Sequence, residues 1–362
     1  MDLLILEPLD AEVVEWLTQR HSVRYAPELA HEPKAFRDAL RTARALVLPS
    51  AVALDAVALR EARELVAVGR VTAGVENIDQ DACARAGIEV VRSLTATAQA
   101  EAEFMTGALL SMLRRVGVVA ADGSLVGREI GSATVGLIGM TPSARLISQL
   151  LSGFGSRVIG YDPAVHARDK VWDRWQVAPV GLRELIETSD AVCVQLAYFS
   201  RYQGLLGERV LPHCKQDQVM VCIAHSALFD EAVLAQVLQS GRMAACWLDS
   251  LEPGALAEGR PLAGVESLQV TPRVASTTRE SRLRSAWAVV KRLDELLTIA
   301  SLMPGDYAPA RPVRPAGAPA PASAPVVGTG PAGAPVLSPG TAGLTASLAA
   351  VANANAGRPR SR

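Results

Sequence analysis

The feature that most constrains the fold is a regular alternation of short apolar runs with amphipathic segments over the first 304 residues. Runs of four to six apolar residues predict buried strands, and the segments between them space apolar residues at helical intervals. Such alternation predicts an α/β fold with parallel sheets built from strand–helix–strand units. The predicted strands are Leu3–Leu6, Ala45–Leu48, Leu65–Val68, Ile88–Val91, Thr134–Ile138, Arg157–Tyr161, Ala191–Leu196, Val219–Ile223 and Ala244–Leu248.

The longest helical pattern, Thr97–Val119, separates these strands into two series. We therefore predict a domain junction near its start. The helical pattern Thr278–Thr298 is expected to close the fold, since its apolar residues recur about one turn apart. Within the long pattern, a helix is predicted over Ala96–Arg115. Other predicted helices are Ala11–Arg20, Ala35–Thr42, Ala144–Gly153, Leu182–Thr188 and Asp230–Ser240.

The last part of the chain, residues 305–362, has a different composition. It holds 10 of the 22 prolines and is otherwise mostly Ala, Gly, Ser, Thr and Val. Such a segment cannot bury enough apolar surface to offset the entropy lost on ordering. We predict a disordered tail, whose five arginines do not identify a partner.

Charge and cysteine content exclude several classes of protein. A net charge of −1 and a pI near 6.5 argue against nucleic-acid binding and anionic-membrane binding, because both need a concentrated positive field. Apolar runs are too short for a membrane helix, and the N-terminal run is too short for a signal peptide. We expect a cytoplasmic protein. The five cysteines are widely spaced without a CxxC pair, so neither a metal site nor a disulfide framework is expected.

The turn after the predicted strand Thr134–Ile138 is a candidate phosphate-binding turn. A dinucleotide-binding unit has GxGxxG here, because the pyrophosphate packs against bare backbone at a helix N-terminus. This chain keeps Gly139, whereas Thr141 and Ala144 replace the second and third glycines. Thr141 either crowds the pyrophosphate or donates a hydrogen bond to it. The alternative is a tight strand-to-helix turn that binds nothing.

Asp162 strengthens the first interpretation. It ends the next predicted strand, 23 residues after Gly139, where a carboxylate accepts hydrogen bonds from the ribose hydroxyls of NAD. A carboxylate there would repel the 2′-phosphate of NADP, so NAD is the expected cofactor. The alternative for Asp162 is a simple Asp-Pro turn.

Several ordered segments resemble the D-isomer-specific 2-hydroxyacid dehydrogenase family. The resemblance implies two Rossmann-like, doubly wound parallel-sheet domains, with an NAD-binding domain (99–276) inserted into a substrate domain (1–98 and 277–304). It further implies a homodimer and a cleft in which a hydride passes between the nicotinamide and a small 2-hydroxy or 2-keto acid. The segments are Gly69–Asp79, Gly87–Val91, Thr95–Glu103, Ser189–Leu196, Gly204–Gly207, Asp230–Leu234, Ser240–Arg242, Leu248–Asp249 and Thr271–Pro272.

The resemblance also assigns roles to residues. Asp249 matches the residue that contacts the nicotinamide carboxamide, and Glu252 matches the glutamate that hydrogen-bonds the catalytic histidine. The small residues of the family's substrate loop correspond to Thr72, Ala73 and Gly74, whose backbone amides would hold the substrate carboxylate.

Two catalytic positions depart from the family. Where the family has its arginine this chain has His225, and where the family has its histidine it has Arg273. Arginine cannot release a proton near neutral pH, so we expect Arg273 to form an ion pair with Glu252.

Three interpretations of this exchange are open. In the first, His225 exchanges the proton and Arg273 holds the anion. In the second, the catalytic pair is lost and the chain is a catalytically silent NAD(H)-binding protein with a sensing or scaffolding role. In the third, His225 is a strand-end residue bonded to backbone, and Arg273 forms a salt bridge at the cleft edge.

Overall fold

The computed structural model describes residues 1–72, 74–75, 77–93 and 95–302. The predicted tail (305–362) and Ala73 lie outside these residues, as do Glu76 and Leu94. The strands are β1 (Leu3–Ile5), β2 (Val23–Tyr25), β3 (Ala45–Val47), β4 (Ala67–Arg70), β5 (Glu89–Arg92), β6 (Val118–Val119), β7 (Leu125–Val126), β8 (Thr134–Ile138), β9 (Arg157–Tyr161), β10 (Ala178–Pro179), β11 (Ala191–Val194), β12 (Gln218–Cys222), β13 (Met243–Leu248) and β14 (Leu268–Val270).

The α-helices lie between these strands, and several short 3-10 turns occur in the loops. The helices are α1 (Ala11–Thr18), α2 (Pro33–Leu40), α3 (Ala56–Glu61), α4 (Gln80–Ala86), α5 (Ala98–Arg115), α6 (Pro142–Phe154), α7 (Lys170–Arg174), α8 (Leu182–Thr188), α9 (Glu231–Gln239) and α10 (Arg279–Leu302).

Two parallel sheets organise the described residues, which confirms the predicted fold class. The first has the order β2-β1-β3-β4-β5 and the second the order β10-β9-β8-β11-β12-β13-β14. Strands β9 and β11 flank β8 on opposite sides, so the chain changes direction there. In open parallel sheets, ligands bind beyond the carboxyl ends of the strands at such a switch point.

Helices cover both faces of each sheet. On the second sheet, apolar residues of α5 and α6 pack on one face and those of α8 and α9 on the other. On the first sheet, Val289 and Leu293 of α10 pack against β1, β3 and β4. Gly69 of β4 permits this approach, because a Cβ there would lie 2.6 Å from Val289 Cγ1. The chain thus returns to its first sheet with α10. The domain boundaries given above stay a prediction.

The helix predicted over Ala96–Arg115 is confirmed at its C-terminal end, whereas the longer helical pattern Thr97–Val119 is wrong beyond Arg115. Helix α5 ends at Arg115, and Val118–Val119 instead forms the two-stranded antiparallel hairpin β6–β7. Gly117 and the β-branched valines around it disfavour a helix. As a result α10, with 24 residues, is longer than α5, with 18.

A membrane-spanning helix is not found among the described residues, because none of their helices combines sufficient length with sufficient apolarity.

Candidate dinucleotide and catalytic site

Gly139 occupies a backbone conformation that requires glycine. Its φ is +103°, and a Cβ there would lie 2.6 Å from the backbone N and Cα of Leu196, just beyond β11. Gln195 binds the turn from the same side, because its Nε2 donates to the Gly139 carbonyl at 2.9 Å. The turn after β8 is therefore tied to the chain leaving β11.

The first turn of α6 has the donors that a pyrophosphate needs. Within the described residues the backbone N–H groups of Thr141 and Ser143 donate to no protein acceptor. Pro142 occupies the first helical position, and Ala144 is fully buried against the core. The Thr141 and Ser143 hydroxyls lie 2.9 Å apart, which turns Thr141 Oγ1 toward Ser143. Unpaired amides at a helix N-terminus fit a phosphate group.

Asp162 lies beside this turn at the end of β9. Its Oδ2 accepts from Met140 N at 2.7 Å, and its Oδ1 accepts from Ala164 N at 2.8 Å. The second contact is the Asp-Pro turn considered above, and the first fixes the turn after Gly139. Each oxygen keeps a further lone pair, so the carboxylate can still accept from a ribose hydroxyl.

His225 is held on three sides at the end of β12. The backbone N–H of Ala227 donates to Nδ1 at 3.1 Å, and Nε2 lies 3.2 Å from Glu252 Oε1. The ring also stacks on Tyr198, with centroids 4.5 Å apart and an angle of 19° between the planes. Because Nδ1 accepts a hydrogen bond, the neutral ring carries its proton on Nε2. That proton points toward Glu252.

The expected ion pair between Arg273 and Glu252 is wrong, because Glu252 instead pairs with His225. The Arg273 guanidinium is exposed and has no hydrogen-bond or ion-pair partner among the described residues. Its backbone has φ +55°, and its N–H donates to the Asp249 carbonyl at 2.6 Å. The backbone is held here while the cationic side chain remains available.

Asp249 organises the segment that carries Arg273. It is buried, and its carboxylate accepts from Thr271 Oγ1 at 2.7 Å and from the N–H groups of Val274 and Ala275, both at 2.9 Å. Trp247 Nε1 donates to the same Thr271 hydroxyl. Three donors leave one acceptor position on the carboxylate. A contact with the nicotinamide carboxamide would have to use that position.

The predicted substrate loop follows β4 of the other sheet. Gly74 has φ +94°, and its carbonyl accepts from the buried Arg70 Nε at 3.1 Å. Thr72 Oγ1 is buried and has no hydrogen-bond partner among the residues that the structure describes. Glu7 lies 3.6 Å from the Arg70 guanidinium, and burial raises its pKa although Arg70 and Arg282 lower it.

Sequence reasoning missed two residues that position this site. Tyr198 follows β11, two residues beyond the segment Ser189–Leu196 that carried the family resemblance, and a polar aromatic residue just beyond a parallel strand was the available signal. Arg70 gave no such signal, because nothing in its local sequence indicates that β4 will bury it. Within the described residues, no group of three or more His, Cys, Asp or Glu side chains could hold a metal ion.

Comparisons with known proteins agree with this geometry. Residues 99–275 match the family model described as D-isomer specific 2-hydroxyacid dehydrogenase, NAD binding domain. NAD is accordingly the cofactor of this domain, and the two unpaired amides of α6 fit its pyrophosphate.

Three individual proteins illustrate the similarity. The (S)-sulfolactate dehydrogenase of Chromohalobacter salexigens is 29% identical, over 82% of this chain and 99% of that protein. The D-3-phosphoglycerate dehydrogenase of Mycobacterium bovis is 30% identical over 70% of this chain, but the chain spans only 49% of that protein. The TT0316 protein of Thermus thermophilus superposes with a TM-score of 0.68 at 22% identity, covering 82% of this chain and 97% of that one.

The NAD-binding domain, the ordered segments and the fold lead to one assignment. The chain belongs to the D-isomer specific 2-hydroxyacid dehydrogenase family.

Proposed function

We propose that the chain is an NAD-dependent oxidoreductase that transfers a hydride between the nicotinamide and C2 of a small 2-hydroxy or 2-keto acid. The observation that carries this proposal is the 3.2 Å contact between His225 Nε2 and Glu252 Oε1. It pairs a proton-exchanging side chain with a carboxylate at the carboxyl end of a strand in the NAD-binding domain. We assign the family's histidine–glutamate chemistry to this pair, with the histidine on a different strand.

Proton transfer is assigned to His225. When bound, the nicotinamide supplies or accepts the hydride at C2. In the reducing direction, His225 acts as the imidazolium: Nδ1 carries a proton in place of the hydrogen bond from Ala227. The Nε2 proton then passes from the Glu252 contact to the substrate carbonyl oxygen, which becomes the hydroxyl and leaves a neutral ring. Glu252 stabilises the donor and is half-exposed, so the lost proton can be replaced from solvent. In oxidation, the same nitrogen takes the hydroxyl proton.

Substrate binding is assigned to Arg273 and the loop after β4. An unpartnered guanidinium matches the geometry of a carboxylate and keeps its charge at every relevant pH. We assign the substrate's carboxylate to Arg273 together with the backbone amides of Thr72, Ala73 and Gly74. The printed names of the relatives support this class, since sulfolactate and 3-phosphoglycerate are both 2-hydroxy acids.

A homodimer and a cytoplasmic location complete the proposal. Exposed apolar side chains at the hairpin and on α5 and α6 offer a surface for a second copy: Leu110, Val119, Leu125, Val126, Leu150 and Phe154. Sedimentation at micromolar concentration tests the dimer. All five cysteines are free and buried, as in proteins of a reducing compartment.

Cofactor binding and turnover test the proposal in sequence. NADH is first titrated into the nucleotide-free full chain by calorimetry, and one site per chain is expected. A panel of 2-keto acids is then added, and NADH oxidation is followed by absorbance. Absence of NADH binding would contradict the proposal. NADH binding without oxidation by any acid would instead favour the catalytically silent NAD-binding protein.

A further inference from the structure

A cavity of about 490 Å³ opens at the carboxyl ends of β1 and β4, beside the first turns of α10. Its charged lining consists of Arg279 and Arg282 from α10 and Asp10 from the segment after β1. The volume lies within the range of small-molecule sites. Neither the hydride transfer nor the carboxylate contacts proposed above use this cavity.

The cations outnumber the anion in this cavity. Arg279 has no hydrogen-bond or ion-pair partner within the described part of the chain. Arg282 lies near the buried Glu7 and lowers the pKa of that carboxyl, so the charge of Arg282 is partly balanced. The Asp10 side chain makes no hydrogen bond to the described residues at the start of α1. Two guanidiniums and one carboxylate leave one positive charge.

The cavity borders both groups to which the substrate carboxylate is assigned. Val71, in its lining, directly precedes Thr72 of the loop after β4. Thr277, also in its lining, donates its hydroxyl to the Arg273 carbonyl at 2.9 Å. A substrate held by its C1 carboxylate between these segments has the cavity beside it for its far end.

We propose that this cavity binds a second acidic group of the substrate, so that the preferred substrates are 2-keto or 2-hydroxy acids with a carboxylate, sulfonate or phosphate at the far end. This inference rests on the proposed function. Arg279 provides the available guanidinium and Arg282 the partly balanced one. Thr278 Oγ1 accepts from Ser281 N, so its hydroxyl proton is available to donate to the acidic group.

Matched substrates and a matched variant test this assignment. Oxaloacetate and 3-sulfopyruvate carry the second acidic group, whereas 2-oxobutyrate has a methyl group in its place. The exposed, unpaired Arg279 is replaced in Arg279→Gln, and Arg63→Gln removes the same charge at an exposed position outside the cavity. We expect Arg279→Gln to lower kcat/KM for at least one diacid by about 10- to 100-fold. Arg279→Gln should change kcat/KM for 2-oxobutyrate less than twofold. Arg63→Gln should leave kcat/KM unchanged for the diacids and for 2-oxobutyrate.

Binding without turnover separates this inference from the proposed function. In the presence of NAD⁺ a keto acid cannot be reduced, so calorimetry reports binding alone. A preference for a diacid that Arg279→Gln removes supports the inference even if the chain never oxidises NADH. The inference is overturned if wild type binds 2-oxobutyrate as tightly as both diacids or binds neither diacid. The inference is also overturned if Arg279→Gln weakens the binding of all three acids equally. That result would count against the inference even if the chain oxidises NADH and the proposed function holds.

Discussion

His225 and Arg273 follow β12 and β14, two strands of one sheet with β13 between them, yet their side chains have opposite surroundings. His225 is contacted at both ring nitrogens and on one ring face, by Ala227, Glu252 and Tyr198. The Arg273 side chain has no partner in the described chain, and only its backbone is held, at φ +55°.

This difference matches two chemical roles, proton exchange and anion binding. A group that exchanges a proton must present one nitrogen at a fixed orientation, because proton transfer depends steeply on geometry. A group that holds an anion needs charge and reach, and a flexible guanidinium has both. The contacts therefore favour the interpretation in which the roles moved with the residues.

The largest expected effect comes from removing the proton donor in His225→Asn. Asparagine can still accept the Ala227 N–H at the start of the short turn, so the local fold should persist. We expect kcat/KM for keto-acid reduction to fall by about 10²- to 10⁴-fold, with NADH affinity unchanged as the control. A variant with wild-type kcat/KM would remove His225 from the chemistry.

Replacing the cation in Arg273→Asn should act on binding. Asparagine tolerates a positive φ, so the backbone should not be strained. Loss of one charged hydrogen bond costs about 1.5–3 kcal/mol, so KM should rise about 10- to 100-fold while kcat changes much less. Steady-state kinetics separates the two constants, and a fall in kcat at unchanged KM would reverse the proposed roles of the two residues.

A smaller effect is expected from the ring that stacks on His225. An aromatic pair contributes about 0.5–1.5 kcal/mol beyond its buried area, so Tyr198→Ala should lower kcat by up to about tenfold. Tyr198→Phe keeps the ring and should restore the wild-type value. Equal losses in both variants would mean that the hydroxyl, and not the stacking, is needed. The pH profile of kcat should move only in the alanine variant.

The smallest expected effect is that of Glu7 on the free energy of unfolding. Its dependence on pH limits the pH range in which these assays can be run. Burial raises the pKa of Glu7 above 4.5 in the folded protein. The folded chain therefore holds the Glu7 proton more tightly than the unfolded chain does. The free energy of unfolding of wild type, relative to Glu7→Gln, should therefore fall as pH rises from 4.5 through the folded-state pKa. Urea titrations across that range measure the difference. A relative gain in wild-type stability would mean that the arginines outweigh burial.

The sequence predicted most of the fold because the two sheets contain long alternations of apolar strands and amphipathic helices. Strand Arg157–Tyr161 and helix Leu182–Thr188 were predicted at their exact bounds. Edge strands such as Val23–Tyr25 were missed, since they are short and half exposed. The helix Ala96–Arg115 was predicted with the C-terminal end of α5, whereas the longer pattern Thr97–Val119 ran past it, because apolar residues continue beyond Arg115 into β6.

The sequence predicted which residues form the candidate site better than it predicted which of them contact one another. Spacing identified Gly139 and Asp162, and family resemblance identified His225, Glu252 and Arg273. Whether His225 or Arg273 faces Glu252 depends on how β12 and the segment after β13 are placed relative to each other. Sequence spacing does not contain that information, so the expected partner was wrong.

The exchange of roles is tested most directly by the single-turnover rate of bound NADH oxidation at saturating keto acid, in wild type and in Arg273→His. Histidine also tolerates a positive φ, and the variant restores the family's residue at this position. If His225 is the proton donor, the rate should not rise and the acid concentration needed for saturation should increase. A rise of about 100-fold or more would show that the catalytic pair had been lost and that position 273 is where the proton is exchanged.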